Sequence, residues 1–277
     1  MGYNKSMNFY ETLEKILTTV RPHEKIELFN SFYKAYRAGE IEIENIGSVR
    51  CFDKPSYAGF CRIVSPQTVP KRKKFTTDGG KILLLHAIAH IEYSAIDLAL
   101  DAAYRFRGLP KAYYDDWLEV AEDEVRHFEM IESLLVELGS SYGAVEVHNS
   151  LFEASQRTRT LLERMAVVPR YLEANGLDAT PEILQKLEKL PQDDMLKRIE
   201  STLRIILDEE VGHVLKGNRW FAYACELEKV DKSIYFEIIE KYYPNWPARK
   251  KSMNVTARKE AGFSCSELNV IAGEKIC

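Results

Sequence analysis

At 277 residues, 45% apolar and 29% charged with a formal net charge of −4, the chain has an ordinary globular composition, with room for one sizeable core or a core and a small appended domain. The mild acidity gives no global nucleic-acid signature. No apolar run approaches a membrane span, and the N-terminus MGYNKSMNFYETLEKIL lacks the apolar centre of a secretion signal.

Gly2 and Ser6 fit the loose Met-Gly-x-x-x-Ser acylation pattern, but no polybasic segment follows nearby to give a second anchor. Apolar residues at helical spacing predict helices over 7–19 and 23–38, separated at Arg21-Pro22. Residues 44–77 lose periodicity and contain Pro55, Pro66 and Pro70, which predicts an extended connector. Its basic run Lys71-Arg72-Lys73-Lys74 is read as a solvated turn ahead of a nucleic-acid site.

Thr77-Asp78 offers an N-cap for a long helix over 79–107, and Gly108-Leu109-Pro110 ends it. A second long helix is expected over 111–138, with Gly139 as its C-cap, antiparallel to the first because the link is short. Residues 139–149 are enough, fully extended, to cross roughly 36–40 Å along the outside of a helical bundle. A third helix is predicted over 150–175, kinked at Pro169 and stopped by Asn175-Gly176. A link over 177–192 carries a short helix from Pro181, the fourth long helix spans 193–228, and a last one lies near 231–242. Pro244, Pro247 and a basic, partly irregular tail follow. The expected organisation is an N-terminal helical extension and connector (1–75), a helical bundle (76–230), and a C-terminal helix and tail (231–277).

Certain residues do not belong on the stripes they occupy. Glu124 and His127 sit among Val120, Ala121, Phe128, Ile131 and Leu135; Glu210 and His213 sit among Leu203, Ile206, Leu207, Val214 and Phe221. No other Glu in the chain has a His three residues later. A buried carboxylate or imidazole is costly alone. Two Glu-x-x-His pairs, joined by one inward Glu from each of two further helices, are the ligand set of a carboxylate-bridged dinuclear metal site. Glu92 is the misfit on the first helix, amid Leu85, Ile88, Ala89, Ile96 and Ala99. Glu173 continues the apolar face of the third; its rival Glu163 has Arg159, Thr160 and Arg170 at helical spacing.

Carboxylates are hard bridging donors and imidazole is borderline, so the expected cofactor is two iron ions, with manganese or a mixed pair as the alternative. Asp123 and Glu209, each one turn before a ligand His, are candidates to hold the imidazoles in place. His90 is a candidate proton shuttle at the rim of the site. His86 is read as a packed or capping residue and His148 as surface. Tyr93, beside Glu92, is read as a packing residue ahead of a redox one. Trp117, Trp220 and Phe221 are read as core and mouth residues. Gly212 and Gly217 would leave room for substrate, although close helix packing explains them more simply.

The segments HIEYSAID, EDEVRHF, RYLEANGLD and DEEVGHV resemble the four helical motifs of the ferritin-like superfamily. The flanking SPQTVPKRKKF and MNVTARKEAGFSCSEL resemble, more narrowly, an uncharacterised bacterial ferritin-like family that neighbours the MiaE tRNA hydroxylases. The resemblance implies an all-α ferritin-like four-helix bundle with one long crossover and a di-iron-type site, all six ligand positions being filled. It brings no settled substrate.

Three functions are carried forward. The first is an O2-dependent oxidase or hydroxylase acting on a small molecule or modified tRNA. An external electron donor would serve it, since no Cys-x-x-Cys provides a rubredoxin-type centre. The second is iron handling or peroxide detoxification, with a 24-mer cage disfavoured because the terminal segments would crowd cage contacts. The third is a metal-stabilised protein without turnover. No membrane partner is expected. The five scattered cysteines, Cys51, Cys61, Cys225, Cys265 and Cys277, point to a reducing, cytoplasmic compartment without a disulfide framework.

Overall fold

The computed structural model describes residues 8–44, 47–246 and 253–277. Gly2 and Ser6, Pro247, and the basic cluster at 249–251 lie outside them. The described residues are helical, with no strand among them and one isolated parallel bridge between Ile63 and Val147. The chain forms two compact units, Met1–Phe152 and Glu153–Cys277. The division falls within the 76–230 segment that the sequence assigns to a single bundle.

The first unit is built on α3 (Asp78–Arg105) and α4 (Lys111–Glu137), joined by a short link and packed along their length; α1 (Phe9–Thr18) and α2 (Pro22–Arg37) precede them. Local chemistry sets the boundaries. The Asn8 side chain accepts the Glu11 N–H at 3.0 Å, and Thr77 accepts the Gly80 N–H at 3.2 Å. Pro22 opens α2, and Gly139, at φ +74°, follows α4 in the left-handed region.

α2 is fastened to the long pair by polar contacts. The Lys25 ammonium, wholly buried, donates to Ser56 Oγ at 2.7 Å and pairs with Asp97 of α3; Tyr36 donates to Asp115 of α4 at 2.7 Å. α3 corrects one expectation, being long and apolar enough to cross a membrane by length and composition, but most of it is buried within the protein.

In the second unit, α8 (Asp194–Glu228) is the long element, and α6 (Leu161–Val167) and α7 (Gly176–Leu187) pack along it. The single helix expected over 150–175 is broken. α5 (Ser150–Arg157), in which the division between units falls, ends first; Thr160 then starts α6 through a capping box with Glu163. Pro169 lacks an N–H for the ladder, and a π-turn forms over Val168–Leu172, followed by a 3-10 turn over Glu173–Asn175. Asn175-Gly176 is not a stop, because α7 begins at Gly176, five residues before Pro181.

The tail is more ordered than its sequence suggests. After α9 (Ile234–Tyr242) come α10 (Val255–Glu260) and α11 (Cys265–Ala272). Cys265 and Cys277 form a disulfide, which the expectation of no disulfide framework does not foresee; Cys51, Cys61 and Cys225 are free thiols.

Candidate metal centre

In the first unit, Glu92 of α3 and Glu124 and His127 of α4 come together between the two helices. His127 Nδ1 lies 3.3 Å from Glu92 Oε2 and 3.6 Å from Glu124 Oε2. Each residue offers one donor atom within 4.8 Å of the others, and exposures of 6%, 2% and 0% leave little solvent to screen them. The placement follows from the pattern: the apolar stripes zip the helices together, and the three polar groups are carried inward. Phe128, next to His127, packs on Tyr93, next to Glu92, at 5.2 Å between ring centroids.

The electrostatics are those of a crowded acid site. Burial and then repulsion from Glu124 push the Glu92 carboxyl up out of the usual carboxylate range. Burial alone would push His127 down, but Glu124 and Glu92 outweigh it and raise the imidazole. A divalent cation would displace those protons and satisfy all three donors at once. Two carboxylate oxygens and one imidazole nitrogen suit iron or manganese better than calcium.

The second unit carries Glu210 and His213 on α8, with His213 Nδ1 3.1 Å from Glu210 Oε2 and the ring buried. Glu173 lies in the 3-10 turn that packs against α8, with its Oε2 buried. Glu163 is elsewhere: its carboxylate accepts the Arg159 and Thr160 N–H groups and pairs with Lys241 at 2.7 Å. Against the cost of partial burial, those bonds hold it down to about 2.

Two arginines set the turn carrying Glu173: Arg170, which the sequence places only as a polar neighbour of Glu163, and Arg258, which it does not single out. The buried Arg170 guanidinium lies 4.3–4.9 Å from the ring centroids of Phe221, Tyr235 and Phe263, and pairs with Glu267 at 2.5 Å. Arg258, also buried, pairs with Asp178 at 2.7 Å and donates to the Ala174 carbonyl at 2.9 Å. The tail segment that contains Arg258 and Glu267 thus holds the turn from both ends. At helical spacing Arg170 shares a face with Glu163 and Arg159, so nothing in the sequence signals its burial.

The remaining candidates divide. Asp123, expected beside an imidazole, forms an ion pair with Arg126 at 2.6 Å, while His127 Nδ1 faces Glu92 and Glu124. Glu209 is half-buried on α8. His90 tethers a loop: Nε2–H donates to the His148 carbonyl at 2.7 Å, so Nδ1 accepts the Tyr142 hydroxyl at 2.8 Å. His86 is a packed residue whose Nε2 accepts the Gly143 and Val145 N–H groups at 2.9 and 3.2 Å. Together they pin the 139–149 segment to α3. His148 is half-buried rather than fully exposed, and Tyr93, Trp117, Trp220 and Phe221 are core residues. Gly217 is the close-packing glycine: a Cβ there would stand 2.3 Å from Pro169 Cβ, whereas one at Gly212 would meet nothing within 4 Å.

These features define an all-helical protein with a buried cluster of two glutamates and a histidine, and a second Glu-x-x-His pair on its longest helix. The chain belongs to the family described as "Protein of unknown function (DUF455)", which it matches over residues 18–269. It is 39% identical to an "Uncharacterized protein" of Haemophilus influenzae, in an alignment covering 95% of this chain and 93% of that one. No solved structure matches it.

Proposed function

We propose that this chain is a ferritin-like dinuclear metal protein, with iron as the first candidate, acting as an O2-dependent oxidase or hydroxylase. The observation that carries the reading is the Glu92–Glu124–His127 cluster, three potential ligands buried together on an apolar interface. Its sequence counterpart is Glu173 with Glu210 and His213, so each half of the chain supplies one Glu and one Glu-x-x-His. Four carboxylates balance two divalent cations, which makes the set chemically complete as well as apolar in setting.

A ferrous pair bound by these six residues would supply electrons for reducing O2. The chain's own part is to neutralise that charge with Glu92, Glu124, Glu173 and Glu210, to orient His127 and His213, and to keep bulk water out through the surrounding apolar side chains. Gly212, beside which added volume would meet nothing, gives room for a small organic substrate. Modified tRNA is the second substrate class; the exposed Lys71–Lys74 run speaks for it.

The near-complete burial of Glu92, Glu124 and His127 is what favours a rival reading, a metal that stabilises the fold without turnover. Iron-loaded protein with reductant and O2, offered metabolite extract or bulk tRNA, separates the two. O2 consumption above that of Glu124→Ala supports an enzyme, and equal consumption with a metal-dependent rise in melting temperature supports the structural role.

A further inference from the structure

A cavity of about 390 Å³ lies on the outer side of α3, within the first unit. Its floor is the stripe Leu83, Ala87 and Ile91, spaced one turn apart, and Ile91 is 45% exposed despite its size. Facing this stripe is the strap of the connector, with Val69 and Pro70 adding apolar wall and Lys71 and Arg72 forming the lip. The volume falls in the range of small-molecule sites.

The walls are fixed before any ligand arrives. His86 and His90 hold residues 142–148 through four hydrogen bonds of 2.7–3.2 Å. Val147 is bonded in turn to the connector, donating to the Arg62 carbonyl and accepting the Val64 N–H. The far end of the strap is seated on the first turn of α3: a Cβ on Gly80 would stand 2.1 Å from the Lys74 carbonyl oxygen, so only glycine lets the two backbones approach this closely. A preformed cavity binds without the cost of ordering it.

The charge at the lip is one-sided. Among the described residues Lys71 and Arg72 make no ion pair, and both are exposed. Glu146, the acid on the opposite wall, is already paired with Arg62 at 2.9 Å. An apolar slot with two uncommitted cations at its mouth suits a ligand with an apolar body and an anionic head. Ile91 lies about 100° around α3 from Glu92, so the slot and the metal-ligand face are different faces of one helix.

We propose that this slot binds a small amphiphilic anion, its aliphatic or aryl body along Leu83, Ala87 and Ile91 and its carboxylate or phosphate head at Lys71 and Arg72. The site is independent of the metal reading.

Calorimetric titration of the full-length chain tests it, with octanoate and octyl phosphate as probes and octanol and octylamine as controls. Saturable binding of at least one anion at one site per chain is expected, with at least tenfold weaker binding of both controls. A preference between the two anions identifies the head group. The double variant Lys71→Glu with Arg72→Glu, on exposed positions, is expected to weaken anion binding at least tenfold without shifting the melting temperature. Ile91→Glu should do the same by placing a like charge in the slot. The proposal is overturned if neither anion saturates, if octanol or octylamine binds as well, or if charge reversal at the lip leaves the affinity unchanged.

Discussion

His127 Nδ1 on α4 stands 3.3 Å from Glu92 Oε2 on α3, both side chains being almost wholly buried. The contact joins two helices through groups that each helix would otherwise keep from its apolar face. In the proposed metal centre both are ligands, so Glu92→Gln keeps the shape and removes a charged donor. Metal added to the wild-type chain is expected to raise its melting temperature by several degrees, because only the folded state presents the ligands together. That increment should be lost in Glu92→Gln, as followed by calorimetry with and without chelator.

Glu163 and Glu173 are separable by substitution. Glu163→Ala removes half of the capping box that starts α6 and the Lys241 pair, at a cost of about 1 kcal/mol. Its metal content should match wild type. Glu173→Ala should lower the metal content with a smaller effect on the metal-free melting temperature. Equal metal loss in the two variants would remove Glu173 from the ligand set.

The two glycines of α8 should respond in opposite senses. Gly217→Ala drives a methyl into Pro169 and is expected to destabilise by about 1–3 kcal/mol. Gly212→Ala has free space and a helical backbone, and is expected to stabilise by roughly 0.5–1 kcal/mol. Urea unfolding of the pair, at constant m-value, reads the difference.

Acid should weaken the first unit through His86. Burial holds the folded imidazole down to about 4, against an ordinary value of 6.5. Between those values the unfolded chain binds more protons than the folded one, so this contribution is complete above pH 6.5 and lost as pH falls toward 4. The loss is on the order of 1–3 kcal/mol. His86→Gln, which retains an acceptor for the Gly143 and Val145 N–H groups, should show a flatter melting temperature over this window. Parallel profiles would assign the acid sensitivity to other groups.

The sequence made the long elements legible where capping chemistry and periodicity agreed. α3, α4 and α8 begin and end within two residues of the expected positions, because Thr77, Pro110, Gly139 and Asp193 each act within their own few residues. Glu92, Glu124 and His127 were legible for the same reason: a polar group on an apolar stripe is a local anomaly. The stretch over 150–187 was not. There Pro169 is accommodated by a π-turn whose stability comes from Arg170, Arg258 and Glu267, and the last two lie far along the chain. Pairing of Cys265 with Cys277 was hidden similarly, since spacing alone does not bring two thiols together. The partners of His90, Tyr142 and the His148 carbonyl, were not legible, because they depend on where a loop without periodicity folds back.

Whether the chain holds a dinuclear metal centre is decided by elemental analysis of the 277-residue chain purified without oxygen. Two transition-metal ions per chain are expected, iron first and manganese second, falling on replacement of Glu124 or His127. A wild-type chain that takes up no iron or manganese when offered both would contradict the dinuclear reading.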